Sequence, residues 1–153
     1  MEVLSFIDMG IKVENAISGL YESAAEAASV SAPDLVSELK ALAREEIGHA
    51  NALKMARNYA SAMPDLFSVR SIDVRGIGIG LEEGASAMLS IPSGKGLKPL
   101  LEFLLDMEKR FERLHLSASV AIKDDSLKSL FLSLSKGDSG HIAILTKILV
   151  DLA

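Results

Sequence analysis

The chain has no cysteine. That excludes a disulfide framework, an iron–sulfur cluster and a cysteine-bound zinc. Aromatic residues are scarce at 5 %, although 49 % of the 153 residues are apolar. An apolar content carried by Ala and Leu, with much Ser beside it, suits helices packed on helices better than a sandwich of strands. No block of Lys or Arg occurs, and the net charge is −5, so nucleic acid has no electrostatic footprint here. No long apolar run is present. The best candidate, around residues 97–105, contains Lys98 and Glu102 and is too short to span a bilayer. The first residues lack a basic segment, and Asp8, Lys12 and Glu14 interrupt the apolar ones. The expectation is one soluble, cytoplasmic domain over residues 1–153, with no membrane partner.

Helical periodicity is abundant. Ile7, Ile11, Ile17, Leu20, Tyr21 and Ala24 recur at steps of three and four, which predicts a first helix over about 3–28. Ser31 and Asp34 form a capping-type pair, and Pro33 suits a first turn, so a second helix is expected over about 33–61. Its ladder is Leu35, Leu39, Leu42, Leu53, Ala56 and Ala60. A third helix follows the Pro92–Gly96 punctuation, carries Leu101, Leu104, Leu105, Phe111 and Leu114, and frays near Ile122. Asp124, Asp125 and Ser126 supply N-cap residues for a fourth, with Leu127, Phe131, Leu134, Leu145, Ile148 and Leu152. The fold class is therefore all-α, a four-helix bundle with a long crossover between helices 2 and 3. A short helix is expected near Leu81–Leu89 within that crossover. Its Gly76–Gly80 run lacks the context of a phosphate cradle and reads as closely packed or flexible backbone.

The two hairpins repeat one another. An offset of 94 places Ile7 on Leu101, Glu14 on Glu108, Ile17 on Phe111 and Tyr21 on His115. An offset of 92 places Leu39 on Phe131, Glu46 on Asp138, His49 on His141 and Leu53 on Leu145. Each half thus offers one lone carboxylate and one acid-x-x-His pair, and all six residues interrupt apolar ladders. Ionised carboxylates inside a core cost several kcal/mol each unless compensated. No Lys or Arg shares these faces. Two divalent cations would neutralise four carboxylates, and two imidazoles would complete the donor set. Oxygen-rich ligation mixed with nitrogen suits iron or manganese, and zinc less well.

Neighbouring residues read differently. Glu45 lies on a more polar stripe and reads as facing solvent or supporting a ligand. Glu112 reads the same way. Tyr21 either hydrogen-bonds a ligand, takes part in redox chemistry, or packs the core. His115 is read as supporting the ligands or as a satisfied core histidine, ahead of a direct ligand. Met9, Met55, Met63, Met88 and Met107 read as filling a core or an interface. Phe6, Leu100, Phe103, Leu116 and Leu132 lie off the inward ladders and suggest a homodimer or larger assembly.

These residues resemble the rubrerythrin branch of the ferritin-like superfamily. The resemblance rests on Glu14 with Tyr21 seven later, Glu46-x-x-His49, Glu108 within Met107-Glu108-Lys109, and Asp138-x-x-His141. It covers about three quarters of the chain. It implies a ferritin-like four-helix bundle and a di-iron, or di-manganese, centre held by Glu14, Glu46, His49, Glu108, Asp138 and His141. The implied activity is reduction of hydrogen peroxide or oxygen with electrons from an external donor protein. The alternatives are iron sequestration or sensing without turnover, and a structural interaction bundle with a degenerate site. Three departures stand out: Asp138 is shorter than the usual Glu, Phe111 replaces a further Glu, and His115 stands where Tyr is common.

Overall fold

Four helices form the computed structural model, which describes residues 3–63, 83, 86 and 96–153. They are α1 (Val3–Ser31), α2 (Val36–Ala62), α3 (Leu97–Ala121) and α4 (Asp125–Leu152). No strand occurs among the described residues. The chain is an all-α four-helix bundle. Of the short helix expected near Leu81–Leu89 only Glu83 and Ser86 are described, both in helical conformation, and the glycine-rich run lies outside the described residues.

Each helix buries one stripe. On α4, Leu127, Phe131, Leu134, Asp138, His141, Leu145 and Ile148 are buried at steps of three and four. On α2 the buried stripe includes Leu39, Leu42, Glu46, Leu53, Ala56 and Ala60. Each large apolar side chain so buried contributes about 1.5–3 kcal/mol. Phe6 corrects the sequence reading: it is core, 3 % exposed, with its ring 5.7 Å from that of Phe131. A helix stripe facing a bundle is wide enough to take Phe6 beside Ile7. Conversely Ile11, Leu35, Leu105 and Leu114 are only half-buried, and Leu152 is exposed. Met55 and Met63 are exposed and fill no core.

The helix ends follow local chemistry. The Asp124 carboxylate accepts from the Leu127 N–H at 3.0 Å and caps α4 as expected. The Ser31 cap does not form. α1 continues through Ser31, whose hydroxyl donates back to the Ala27 carbonyl. The break comes at Ala32, because a residue before proline is pushed out of helical geometry; its φ is −150°. Pro33–Leu35 then make a single 3₁₀ turn before α2 begins. Gly96, with φ of +86°, precedes α3 in a conformation that favours glycine.

The two hairpins, α1–α2 and α3–α4, pack through α1 on α3 and α2 on α4. The bonds that tie each hairpin together repeat the duplication. Ser18 Oγ donates to the Ala43 carbonyl at 2.8 Å, and Ser135 Oγ donates to the Glu112 carbonyl at 3.4 Å. Shifted by the two offsets, residues 18 and 43 become 112 and 135. The same pair of positions is bonded in both halves, with donor and acceptor exchanged. Tyr21 on α1 meets Glu108 on α3, and Glu14 meets His115, so these helices run antiparallel. Ala62 and Leu97 consequently lie at opposite ends of the bundle. The 27 residues of α2 make that separation about 40 Å at roughly 1.5 Å per residue.

Candidate metal centre

Glu14, Glu46, Glu108 and Asp138 each come from a different helix and are at most 2 % exposed. His141 is 1 % exposed, and the His49 side chain is 17 % exposed. The six residues that interrupt the ladders therefore converge at mid-bundle. Among the described residues no Lys or Arg is paired with them; the acids meet imidazoles and a tyrosine instead.

Three groups of donor atoms gather within 4.8 Å: Glu14, Glu46 and His49; Glu46, Glu108 and His141; and Glu14, His115 and Asp138. His49 Nδ1 lies 3.2 Å from Glu46 Oε2 and 3.8 Å from Glu14 Oε2. His141 Nδ1 lies 3.0 Å from Glu108 Oε1 and 2.6 Å from Glu46 Oε1. The two rings stack at 5.4 Å with both Nδ1 atoms toward carboxylates.

Two oxygens test whether a cation fits. Glu46 Oε1 and Glu108 Oε2 are buried and accept no hydrogen bond. Glu46 Oε1 stays unpartnered although His141 Nδ1 is only 2.6 Å away. An unpartnered buried carboxylate oxygen beside an imidazole is compatible with a shared cation. The buried carboxylate and imidazole groups could hold a metal ion, and the donor chemistry fits one.

Charge and burial oppose each other here. Burial pushes the Glu14 carboxyl up to about 7 despite the nearby His49 imidazole. Burial alone would lower His49 and His141. The adjoining Glu14 and Glu46 carboxylates instead raise His49 to about 10, and those of Glu108 and Glu46 raise His141 to about 11. Asp138 is raised by burial, against the pull of His115. His115 is raised as well: burial lowers it, and the Asp138 bond outweighs that. Burial, followed by the Glu108 charge, holds the Tyr21 hydroxyl protonated. Without metal, the cluster keeps its acids tolerable by holding protons on imidazoles.

The surrounding residues take definite places. Tyr21 Oη donates to Glu108 Oε1 at 2.6 Å, and its ring is fully buried, so it both bonds a candidate ligand and packs the core. Glu45 reaches across from α2 and sits 2.7 Å from His141 Nε2, while its own side chain is 58 % exposed. It supports the imidazole from the solvent side. Glu112 is half-buried and meets α4 through its backbone carbonyl. Phe111 is buried, so this position beside Glu108 is apolar.

One participant escaped the sequence reading. A Cβ on Gly137 would fall 2.6 Å from His49 Nε2 and 2.8 Å from Cε1, closer than such atoms can pack. Gly137 is the repeat counterpart of Glu45. His141 Nε2 thus faces a carboxylate, whereas His49 Nε2 faces bare backbone. The signal was present in the 92-residue offset, which aligns Glu45 with a glycine. Comparison with protein-family models, with curated proteins and with solved structures finds no match. No described helix is long and apolar enough to cross a membrane.

Proposed function

We propose that the chain binds two metal ions, iron or manganese, and uses them to reduce hydrogen peroxide or oxygen with electrons from an external donor. The observation that carries this reading is the pair of buried oxygens without hydrogen bonds, Glu46 Oε1 and Glu108 Oε2, the first of them 2.6 Å from His141 Nδ1. A structural bundle gains nothing from four buried carboxylates at one level, since apolar residues of similar volume would be as stable or more so. The ligands in this reading are Glu14, Glu46, His49, Glu108, Asp138 and His141, the set implied by the resemblance to rubrerythrins. A pair of such ions, when bound, supplies Lewis acidity and two reducing equivalents.

The chain's own residues would set the conditions. Glu14 and Glu46 each belong to two donor groups and are the natural shared carboxylates. The apolar wall of Phe111 and Phe131 keeps the α3–α4 side dry. Tyr21 Oη holds a proton against Glu108 Oε1. These 153 residues hold no cysteine and so no rubredoxin-type centre of their own. Exposed Leu116, Val120 and Leu132 on α3 and α4 support association of two or more copies.

Metal analysis, Fe(II) titration and peroxide consumption with an artificial donor test the reading together. Two irons per chain, the optical absorption of a coupled diferric pair and turnover are expected. Iron uptake without turnover would support sequestration instead. If neither iron nor manganese binds, the metal reading fails.

A further inference from the structure

Besides Glu45 against Gly137, the two halves of the centre differ at two buried polar positions. Tyr21 of the first half is His115 in the second, and Glu46 is Asp138. In the fold these two departures touch: His115 Nδ1 lies 2.6 Å from Asp138 Oδ2. Their first-half counterparts are not bonded to each other, since Tyr21 Oη turns to Glu108. One change therefore sits against the other, as two halves of a single substitution.

The consequence is visible in which donors gather. Asp138 is one methylene shorter than Glu46, and it does not join the group of Glu46, Glu108 and His141. It gathers instead with Glu14 and His115. The Asp138 carboxylate accepts the Nδ1–H of His115, which leaves Nε2 with its lone pair. That Nε2 faces Glu14 Oε1 at 3.6 Å, too long for a hydrogen bond. It is a fitting separation for two donors on one ion, because donors roughly 2.0–2.2 Å from a first-row divalent cation stand about 3–3.6 Å apart. A carboxylate behind the far nitrogen is also the usual support of a metal-bound imidazole. His115 is 5 % exposed and Glu14 is 2 % exposed, so the position is enclosed. Independently, the fully buried Glu46 Oε1 is unpartnered at the same centre.

Resting on the two-metal reading above, we infer that His115 is a seventh ligand: its Nε2 and Glu14 hold one of the two ions, with Asp138 fixing the ring through Nδ1. The ion at Glu14 then draws on two imidazoles, His49 and His115, whereas the ion at Glu108 draws on His141 alone. The two positions are chemically unequal despite the duplication, and the nitrogen-rich one favours softer or later divalent ions.

Co(II) alone, added to metal-stripped full-length protein and followed by calorimetry and visible absorption, tests this. Wild type is expected to take two Co(II) per chain. His115→Gln should keep one tight ion and bind the second at least 30-fold more weakly, with loss of part of the d–d absorption. His115→Tyr should show the same defect. His115→Tyr combined with Asp138→Glu rebuilds the chemistry of the first half and should regain the second ion. Two tight ions and an unchanged spectrum in His115→Gln would overturn the inference while leaving the two-metal reading intact. No Co(II) bound by wild type would overturn both. A crystal structure of Co(II)-loaded wild type is the check that needs no variant: an ion on His115 Nε2 is expected, and two ions with Nε2 beyond bonding distance would refute the assignment.

Discussion

Tyr21 Oη and Glu108 Oε1, 87 residues apart, are joined by a 2.6 Å hydrogen bond that links the first hairpin to the second at the level of the buried acids. Both side chains are at most 1 % exposed. The bond separates a supporting tyrosine from a merely space-filling one. Tyr21→Phe keeps the ring and removes the donor. Losing a hydrogen bond to a buried charged acceptor costs about 1.5–3 kcal/mol. Chemical denaturation of metal-free protein should show a loss in that range, and metal affinity should fall about tenfold, the lower end for lost ligand support. Unchanged stability and affinity would return Tyr21 to plain packing.

Gly137 offers a test in which two effects oppose each other. Alanine in mid-helix is favoured over glycine by about 0.8–1 kcal/mol. At Gly137 the added methyl would instead meet the His49 ring 2.6 Å from Nε2. The imidazole is 17 % exposed and can swing outward, so the fold should survive. Gly137→Ala is therefore expected to leave thermal stability of the metal-free protein within about 1 kcal/mol. The cost should fall on metal binding, with one of two ions weakened by tenfold or more in a calorimetric titration. Gly48→Ala is the control, since its Cβ would meet nothing within 4 Å.

The ladders were legible because helical periodicity reports which way each Cα–Cβ bond points on its own helix. All six residues that broke the ladders are buried or nearly so, and the repeat offsets reappear as the exchanged Ser18 and Ser135 bonds. What periodicity does not carry is the axial offset between helices or the choice of rotamer. Glu45, read as facing solvent or supporting a ligand, is largely exposed and reaches His141, but which imidazole it would meet was not legible. Asp138 stood out as shorter than the usual Glu, but that its side chain turns to His115 was not legible. Phe6 read as outward, yet its ring reaches across the core to Phe131.

Glu45 and Glu46 are adjacent in sequence and should behave differently. Glu46 is fully buried, with Oε1 unpartnered, and Glu45 touches only the outer nitrogen of His141 from a largely solvated position. Glu45→Gln should keep both ions and weaken one by less than tenfold, because water can replace the lost acceptor. Glu46→Gln removes a charge shared by two donor groups and should abolish tight binding of at least one ion. Equal effects in a side-by-side titration would contradict the separation between supporting and binding roles.

Protons and metal compete for the same atoms, and the direction is set by the raised histidines. In metal-free protein His49 titrates near 10 and His141 near 11, against about 6.5 when unfolded. Between those values the folded state binds more protons than the unfolded one, so its stability falls as pH rises. That contribution is complete below about 6.5 and lost on passing through 10 to 11. Glu14, raised from 4.5 to about 7, acts in the same direction over its own window. The melting temperature of metal-free protein should therefore fall from pH 6 to pH 9. Metal binding must displace Nδ1 protons from His49 and His141, so at pH 7 each loading event releases protons, and affinity rises with pH. Calorimetry in buffers of different ionisation enthalpy reads that release directly. The metal-loaded protein should consequently gain stability over the metal-free form as pH rises, and the two melting curves should diverge between pH 6 and pH 9. Curves that stay parallel would mean that the imidazole protons are not the ones the metal replaces.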